Sequence, residues 1–255
     1  MGKIIAVTNQ KGGVGKTTSC VNLAAYIASA NKKVLLIDID PQGNACSSLG
    51  VEIENEQKSI YEVLLGEATI QEATYPSVMK GLDVVPSTVD LSEAEVDLVY
   101  MDKREKVLKE ALSSVKDKYD YIFIDCPPSL GLLTVNVLTA TDSIIIPIQC
   151  EFFALVGLSQ LMNTVRLVKM QLNPNIEIEG VLLTMKDNRS NLVSQVSEEI
   201  KKYFGEKVYD TYIPRNIRLA ESPSHGKPII MYDNKSKGAL AYKSLAEEFL
   251  KKQTK

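Results

Sequence analysis

The chain of 255 residues predicts an α/β fold, a mostly parallel twisted sheet with helices on both faces. Two observations carry this. Runs rich in Val, Ile and Leu alternate with helix-length stretches, which specifies parallel strands joined by crossover helices. No internal repeat, low-complexity tract or linker rich in Pro, Gly or Ser breaks the alternation, so residues 1–255 read as a single domain.

Taken in order, residues 4–8 open as a buried strand, and residues 17–29 follow with Val21, Leu23, Ala24 and Ile27 in a helical pattern. Apolar runs at 34–38, 82–86, 121–125, 143–148 and 178–184 are the remaining strands, with helix-length stretches at 103–116 and 155–172. Near the end Leu240, Leu245, Ala246, Phe249 and Leu250 have helical spacing and predict a helix packed on the core, because Glu247 and Glu248 lie on its polar face. In such open sheets ligands sit at the carboxyl ends of the strands, so chemistry is expected directly after each run.

Composition narrows the class of protein. No signal segment and no apolar run of about 18 residues occurs, so a cytoplasmic protein without stable membrane association is expected. Four cysteines, at 20, 46, 126 and 150, include no Cys-x-x-Cys pair, which leaves them as small buried hydrophobes rather than zinc ligands or a disulfide framework. The net charge of −3 argues at first against nucleic acid as a partner. Its distribution reverses that: residues 1–185 hold 15 Lys and Arg against 23 Asp and Glu, whereas 186–255 hold 14 against 9. The last quarter is a basic pole.

After the first strand stands Lys11-Gly12-Gly13-Val14-Gly15-Lys16-Thr17-Thr18, leading into a helix. Glycines let consecutive backbone N–H groups face one concavity, and the helix N-terminus adds its dipole. Lys16 then reaches the β- and γ-phosphates of a nucleoside triphosphate, and Thr17 ligates Mg²⁺. The general phosphate-loop pattern would place glycine where Gln10 stands, so this is the deviant form of the motif. Two strands end in carboxylates, one in Asp38-Ile39-Asp40-Pro41-Gln42-Gly43-Asn44 and one in Asp125-Cys126-Pro127-Pro128. Carboxylates emerging from apolar strands are costly unless a cation or hydrogen-bond donors receive them. Asp125 is the candidate Mg²⁺ carboxylate; Asp38 supports either the metal shell or the loop. Asp40 either orients an attacking water, with a possible water-mediated tie to the metal, or caps the turn that follows it. Glu151 either pairs with a lysine or is a plain surface carboxylate.

These stretches resemble the ParA/Soj family of deviant Walker A ATPases, and the likeness extends through Ser129-Leu130-Gly131-Leu132-Leu133-Thr134, Gly157-Leu158-Ser159-Gln160-Leu161, Ile213-Pro214-Arg215-Asn216 and Ser224-His225-Gly226-Lys227-Pro228. The resemblance implies a P-loop ATPase using ATP and Mg²⁺, with Lys11 reaching across a homodimer interface to the partner's nucleotide. It further implies that Asp40 positions the attacking water and that Pro214 and Asn216 lie against adenine. It implies non-specific double-stranded DNA as a ligand, a ParB/Spo0J-like protein that stimulates hydrolysis, and a nucleoid-associated location. Longer plasmid members carry an N-terminal operator-reading segment that is not expected here.

Within the basic surface of 186–255, the resemblance singles out Arg189 and Arg218. Lys201, Lys227 and Lys237 are further candidates, beside small polar residues or at helix ends. No aromatic platform and no recognition-helix pattern accompanies them, which predicts contacts to the phosphate backbone rather than to bases. A MinD-like membrane ATPase is the alternative, sharing the loop and both acidic strands but needing a lipid-bound C-terminal helix. An iron-sulfur reductase of the nitrogenase type would need a cysteine pair in a context that Cys126 and Cys150 do not provide. A synthetase of the same fold would need a substrate insertion that is not evident.

Overall fold

The computed structural model describes residues 2–53, 57–151, 154–186 and 191–254, apart from the side chains of Asn191 and Leu192. Along the chain the elements are β1 (Lys3–Val7), α1 (Lys16–Ser29), β2 (Val34–Asp38), α2 (Asn44–Ser48), α3 (Ile60–Leu64), β3 (Tyr75–Pro76), β4 (Leu82–Val85), α4 (Leu91–Leu98) and α5 (Val107–Ser113). There follow β5 (Tyr121–Asp125), α6 (Leu132–Ala140), β6 (Ser143–Gln149), α7 (Ala154–Gln171), β7 (Glu177–Thr184), α8 (Asn191–Phe204), α9 (Ile217–Glu221), α10 (Ile229–Tyr232) and α11 (Lys237–Gln253).

The strands form a seven-stranded sheet in the order β3-β4-β2-β5-β1-β6-β7, parallel throughout except where β3 meets β4. Alternation along each strand sorts side chains into two cores. Ile4 and Ala6 of β1, Leu35 and Ile37 of β2, and Ile122 and Ile124 of β5 face one of them. Ile5, Val7, Val34, Leu36, Tyr121 and Phe123 face the other. Helices α3 to α8 cover the first face; α1, α2, α9, α10 and α11 cover the second. Burial on both sides is why the strands read as continuous apolar runs.

All six strands expected from the sequence are present, within one residue at each end. The seventh, β3, is two residues long, too short to leave a periodic signal. The helix expected at 103–116 begins only at Val107, because Lys103 takes a φ of 53° and the chain turns there, with the Lys106 N–H donating to the Lys103 carbonyl at 2.8 Å. The C-terminal helix packs as expected: Ala239, Tyr242, Leu245, Ala246 and Phe249 of α11 are buried, while Leu240 is exposed. All four cysteines are buried and unbridged. On the last strand Gly180 is required by its neighbour, since a Cβ there would overlap the ring of the buried Tyr209.

Candidate functional site

Several helix N-termini gather at the carboxyl ends of the central strands, and the chain fills two of them itself. At α2 the buried Asp38 carboxylate accepts from the N–H groups of Ala45 (2.9 Å) and Cys46 (3.2 Å), from Asp40 N–H (3.1 Å) and from the Cys46 thiol (3.2 Å). At α6 the Glu95 carboxylate, carried by α4, accepts from Leu133 N–H at 3.2 Å. The N-terminus of α1 is treated differently. Its cap is Gly15, in the left-handed region at φ 84°, and no side chain caps its first turn. Open N–H groups and an uncancelled dipole make that terminus a ready anion site.

It opens on a cavity of about 710 Å³ lined by the loop residues Gly12, Gly13, Gly15, Lys16, Thr17 and Thr18, by Asp40, and across the mouth by Pro214, Arg215 and Asn216. The structure thus brings the nucleotide-loop residues and the Pro214–Asn216 segment to one site. Val14, between the glycines, is buried.

The loop is held from both sides. Asn9 donates its Nδ2–H to the Pro147 carbonyl of β6 (2.7 Å) and accepts from Lys11 N–H (3.1 Å). Thr184, the last residue of β7, donates its hydroxyl to the Val14 carbonyl at 2.8 Å. Tyr242 of α11 lines the same cavity and shares a 3.0 Å hydrogen bond with Ser19 of α1. None of these three was a candidate on sequence grounds. Thr184 is a polar residue at a strand's carboxyl end, the same signal that marks the aspartates; Asn9 and Tyr242 declare themselves only through tertiary partners.

Charge decides what the cavity accepts. The register pairs Asp38 directly with Asp125, on adjacent parallel strands, and both are fully buried. Burial pushes the Asp38 carboxyl up to about 6. Burial, then the nearby Asp38 charge, pushes Asp125 well above the usual carboxylate range. Lys16 is buried as well, and burial lowers its pKa while Asp125 opposes the change; its ammonium donates to the Lys11 carbonyl at 3.2 Å. Neither oxygen of Asp125 has a hydrogen-bond partner among the described residues, and the same is true of Gln10 Oε1 and Asn216 Oδ1. Acceptors left open beside an uncapped helix and a buried ammonium fit a triphosphate with its divalent cation. Mg²⁺ fits the donor set, since Thr17 and Asp125 supply hard oxygens and a bound phosphate and water would complete its ligands.

The open alternatives resolve as follows. Asp38 supports the loop, not the cavity. Asp40 caps the turn, one oxygen accepting from Gln42 N–H at 3.0 Å, and the residue also lines the cavity. Glu151 is a partner for lysine: it forms an ion pair with Lys11, whose ammonium is thereby held outside the chain's own cavity.

The basic residues do not form one patch. Arg189 lies outside the described residues. Arg218 is half exposed and pairs with Glu221 at 2.9 Å and Asp233 at 3.6 Å. Lys227 and Lys237 are exposed in the segments around α10 and the start of α11. Lys201 stands apart, lining a groove with Lys3, Glu177 and Gln253 at the amino ends of β1 and β7. The length of α11 between Lys237 and Gln253 puts about 24 Å between those two surfaces.

Comparison with known proteins agrees with this geometry. A family model described as AAA domain matches residues 2–178. The chain is 60% identical over 248 residues to the sporulation initiation inhibitor protein Soj of Bacillus subtilis, covering 97% of this chain and 98% of that protein. It is 55% identical over 254 residues to the chromosome partitioning protein ParA of Myxococcus xanthus, covering 100% of this chain and 90% of that one. Among solved structures, cobyrinic acid a,c-diamide synthase from Mycobacterium smegmatis with bound ADP and magnesium superposes with a TM-score of 0.87 at 35% identity, covering 100% of this chain and 96% of the other.

The cap that Asp38 forms on α2 is testable by stability. Asp38→Ala leaves buried N–H donors unsatisfied and is expected to destabilise the protein by about 2–4 kcal/mol in urea denaturation, with Asp38→Asn, which keeps one acceptor, costing less. An alanine variant within about 0.5 kcal/mol of the parent would mean that α2 is held by packing alone.

Proposed function

This chain belongs to the ParA/Soj family of chromosome-partitioning P-loop ATPases, and on that footing we propose that it is a switch whose DNA binding is set by ATP. ATP with Mg²⁺ joins two copies into a dimer, the dimer binds double-stranded DNA without reading sequence, and hydrolysis releases both. The observation that carries this reading is the position of Lys11. Lys11 is not among the residues lining its own cavity and its ammonium pairs with the half-exposed Glu151, so it is available to a phosphate bound by another copy.

Each protomer's residues have separable tasks. The open N–H groups of α1 and Lys16 hold the phosphates, while Thr17 and Asp125 hold Mg²⁺. When bound, Mg²⁺ neutralises charge developing on the phosphate oxygens. Asp40 accepts a hydrogen bond from the attacking water and orients it toward the terminal phosphate; positioning is most of what phosphoryl transfer requires. Asn216 Oδ1, an acceptor without a partner, faces the adenine amino group, and Pro214 packs on the ring. Lys11 exchanges Glu151 for the partner copy's γ-phosphate. Gly12 leaves room for that approach: it is exposed, and a Cβ there would meet nothing nearer than the Pro128 Cβ at 4.0 Å, so its lack of a side chain serves no contact within its own chain.

Dimerisation is sufficient to switch DNA binding. A few phosphate contacts give a dissociation constant of about 10⁻⁴ to 10⁻⁶ M, and rigidly joining two such surfaces adds roughly 10² to 10⁴ in avidity. Arg218 and Arg189, together with Lys227 and Lys237, are the residues proposed to meet the DNA backbone. Lys201, at the other end of α11, contributes only if the duplex runs along that side. A ParB/Spo0J-like protein is the proposed stimulator of hydrolysis, and the whole of 1–255 acts as one ATPase domain, in the cytoplasm and on the nucleoid. A MinD-like membrane role is less well supported. The apolar residues of α11 that would meet lipid are turned into the core, and no helix among the described residues is long and apolar enough to cross a membrane. The 60% identity to Soj over the full length also favours partitioning over the amide-synthase chemistry named for the more distant structural neighbour.

Sedimentation with ATP and Mg²⁺ separates the roles. Asp40→Ala is expected to run as a stable dimer, because nucleotide binds and is not consumed, whereas Gly12→Val binds nucleotide and stays monomeric. A monomeric Asp40→Ala protein would remove Asp40 from the water-positioning role.

Replacing Arg189 and Arg218 together by alanine is expected to leave ATP-dependent dimerisation intact and to reduce DNA retention at least tenfold at about 0.1 M salt. Unchanged retention would move the DNA surface elsewhere, with Lys201 the next residue to substitute.

A further inference from the structure

The carboxyl end of β7 is tied to both halves of the cavity. On one side the Thr184 hydroxyl donates to the Val14 carbonyl at 2.8 Å. On the other, the segment across the mouth is laced to the same strand end: Ile213 N–H donates to the Leu183 carbonyl at 2.8 Å, Lys186 N–H donates to the Ile213 carbonyl at 3.0 Å, and Lys186 pairs with Pro214 in a parallel bridge. Between these ties Met185 lines the cavity with a φ of 48°, a left-handed conformation that a residue with a Cβ keeps only where its flanks are pinned. The phosphate loop and the Pro214–Asn216 segment are thus held against one short stretch of chain, the first by a side chain and the second by backbone groups.

Thr184 sets more than the position of the loop. The peptide group is planar and trans, so the Val14 carbonyl and the Gly15 N–H point in opposite directions. With that carbonyl turned to Thr184, the Gly15 N–H is turned away from β7; no acceptor takes it among the described residues, and Gly15 lines the cavity. The loop does not specify this by itself. Turning the Val14–Gly15 peptide over changes ψ of Val14 and φ of Gly15, and glycine accepts φ of either sign, so Gly15 raises no steric objection to the flipped form. The flipped form presents a carbonyl oxygen to an anion. A hydrogen bond from outside the loop is needed to choose between the two, and Thr184 is built to make it: the residue is buried, and its Cγ2 methyl lies beside Gly15, 3.8 Å from where a Cβ would stand.

We propose that Thr184 is a positioning residue for the phosphates of the nucleotide, locking the Val14–Gly15 peptide in the orientation that offers N–H rather than C=O to the anion. The identity of the ligand rests on the ATPase reading above; the division of the site into two separately held seats goes beyond it. Losing the hydroxyl frees the peptide and weakens the phosphate seat. The base seat, tied to β7 through backbone groups, stays as it was.

Thr184→Val keeps the shape of the side chain and removes the donor, whereas Thr184→Ser keeps the donor. In calorimetric titration of the full chain, the valine variant is expected to bind ADP about tenfold or more weakly than the parent, the worth of one N–H aligned on an anion, while its affinity for adenosine is unchanged. Retained adenosine binding also shows that the variant is folded. The serine variant is expected to bind ADP as the parent does. A second readout follows the peptide itself. With isotopically labelled glycine, the Gly15 amide proton is expected to move downfield when ADP or inorganic pyrophosphate is added to the parent or the serine variant, and to stay in place in the valine variant. Equal losses of ADP and adenosine affinity would make Thr184 a packing residue and overturn the proposal. So would a valine variant whose Gly15 amide moves as in the parent, or a serine variant as weak as the valine one. A parent chain whose Gly15 amide moves with pyrophosphate but which has no affinity for ADP sinks the nucleotide reading and leaves the phosphate seat standing; no movement with either ligand overturns the seat as well.

Discussion

A buried carboxylate is among the least tolerable groups in a folded protein, and the fully buried Asp125 has no hydrogen-bond partner of ordinary geometry among the described residues, only the Thr17 hydroxyl and the Lys16 ammonium opposing the rise in its pKa. It ends a central strand, fully enclosed, beside a second buried carboxylate on the neighbouring strand. The chain resolves the two differently. Asp38 receives backbone N–H groups from the start of α2 and the turn before it, and so becomes part of the scaffold. Asp125 receives no such backbone donors, has the Lys16 ammonium nearby as a partial counter-charge, and on the proposed reading is completed by Mg²⁺.

The same economy governs the helix ends. Of α1, α2 and α6, which begin beyond the ends of β1, β2 and β5, carboxylates of the chain cap the last two. The first, α1, is preceded by glycines in left-handed conformations and stays open. Because Asn9 and Thr184 fix both legs of its loop to β6 and β7, the open N–H groups are held in place before any ligand arrives, which lowers the ordering cost of binding. Two loops lead outward from this cradle. One leads from Asp40 into α2, past whose end Gly50 packs so closely on Gly226 that a side chain at Gly226 would crowd the Gly50 backbone, and so abuts the basic C-terminal region. The other runs from Asp125 to α6, where Glu95 of α4 receives it.

Much of this was legible in the sequence because it rests on local chemistry. Strands buried on both faces read as apolar runs, and the glycine loop has one structural meaning when it sits between a strand and a helix. The aspartates stand out because charge after an apolar run demands a reason. What escaped notice depends on tertiary partners: Asn9, whose acceptor Pro147 lies far along the chain; Tyr242, bonded to Ser19; and Glu95, one acid among several on its helix. For Asp38 the sequence leaves the metal shell and the loop both open, and only the path of the following turn gives it to α2 and leaves Asp40 at the cavity. The basic pole shows the converse limit. Its residues are adjacent in sequence but divided in space, because α11 spans the domain and places Lys237 and Gln253 at opposite ends.

The account stands or falls on whether nucleotide state governs DNA affinity. Retention of the wild-type protein on non-specific double-stranded DNA, measured at one fixed salt concentration with ATP, with ADP and without nucleotide, tests it most directly. Strong retention with ATP alone is the expected result. Equal retention in all three conditions would show that the basic surface acts without a switch, and would leave Lys11 and Gly12 without the role assigned to them.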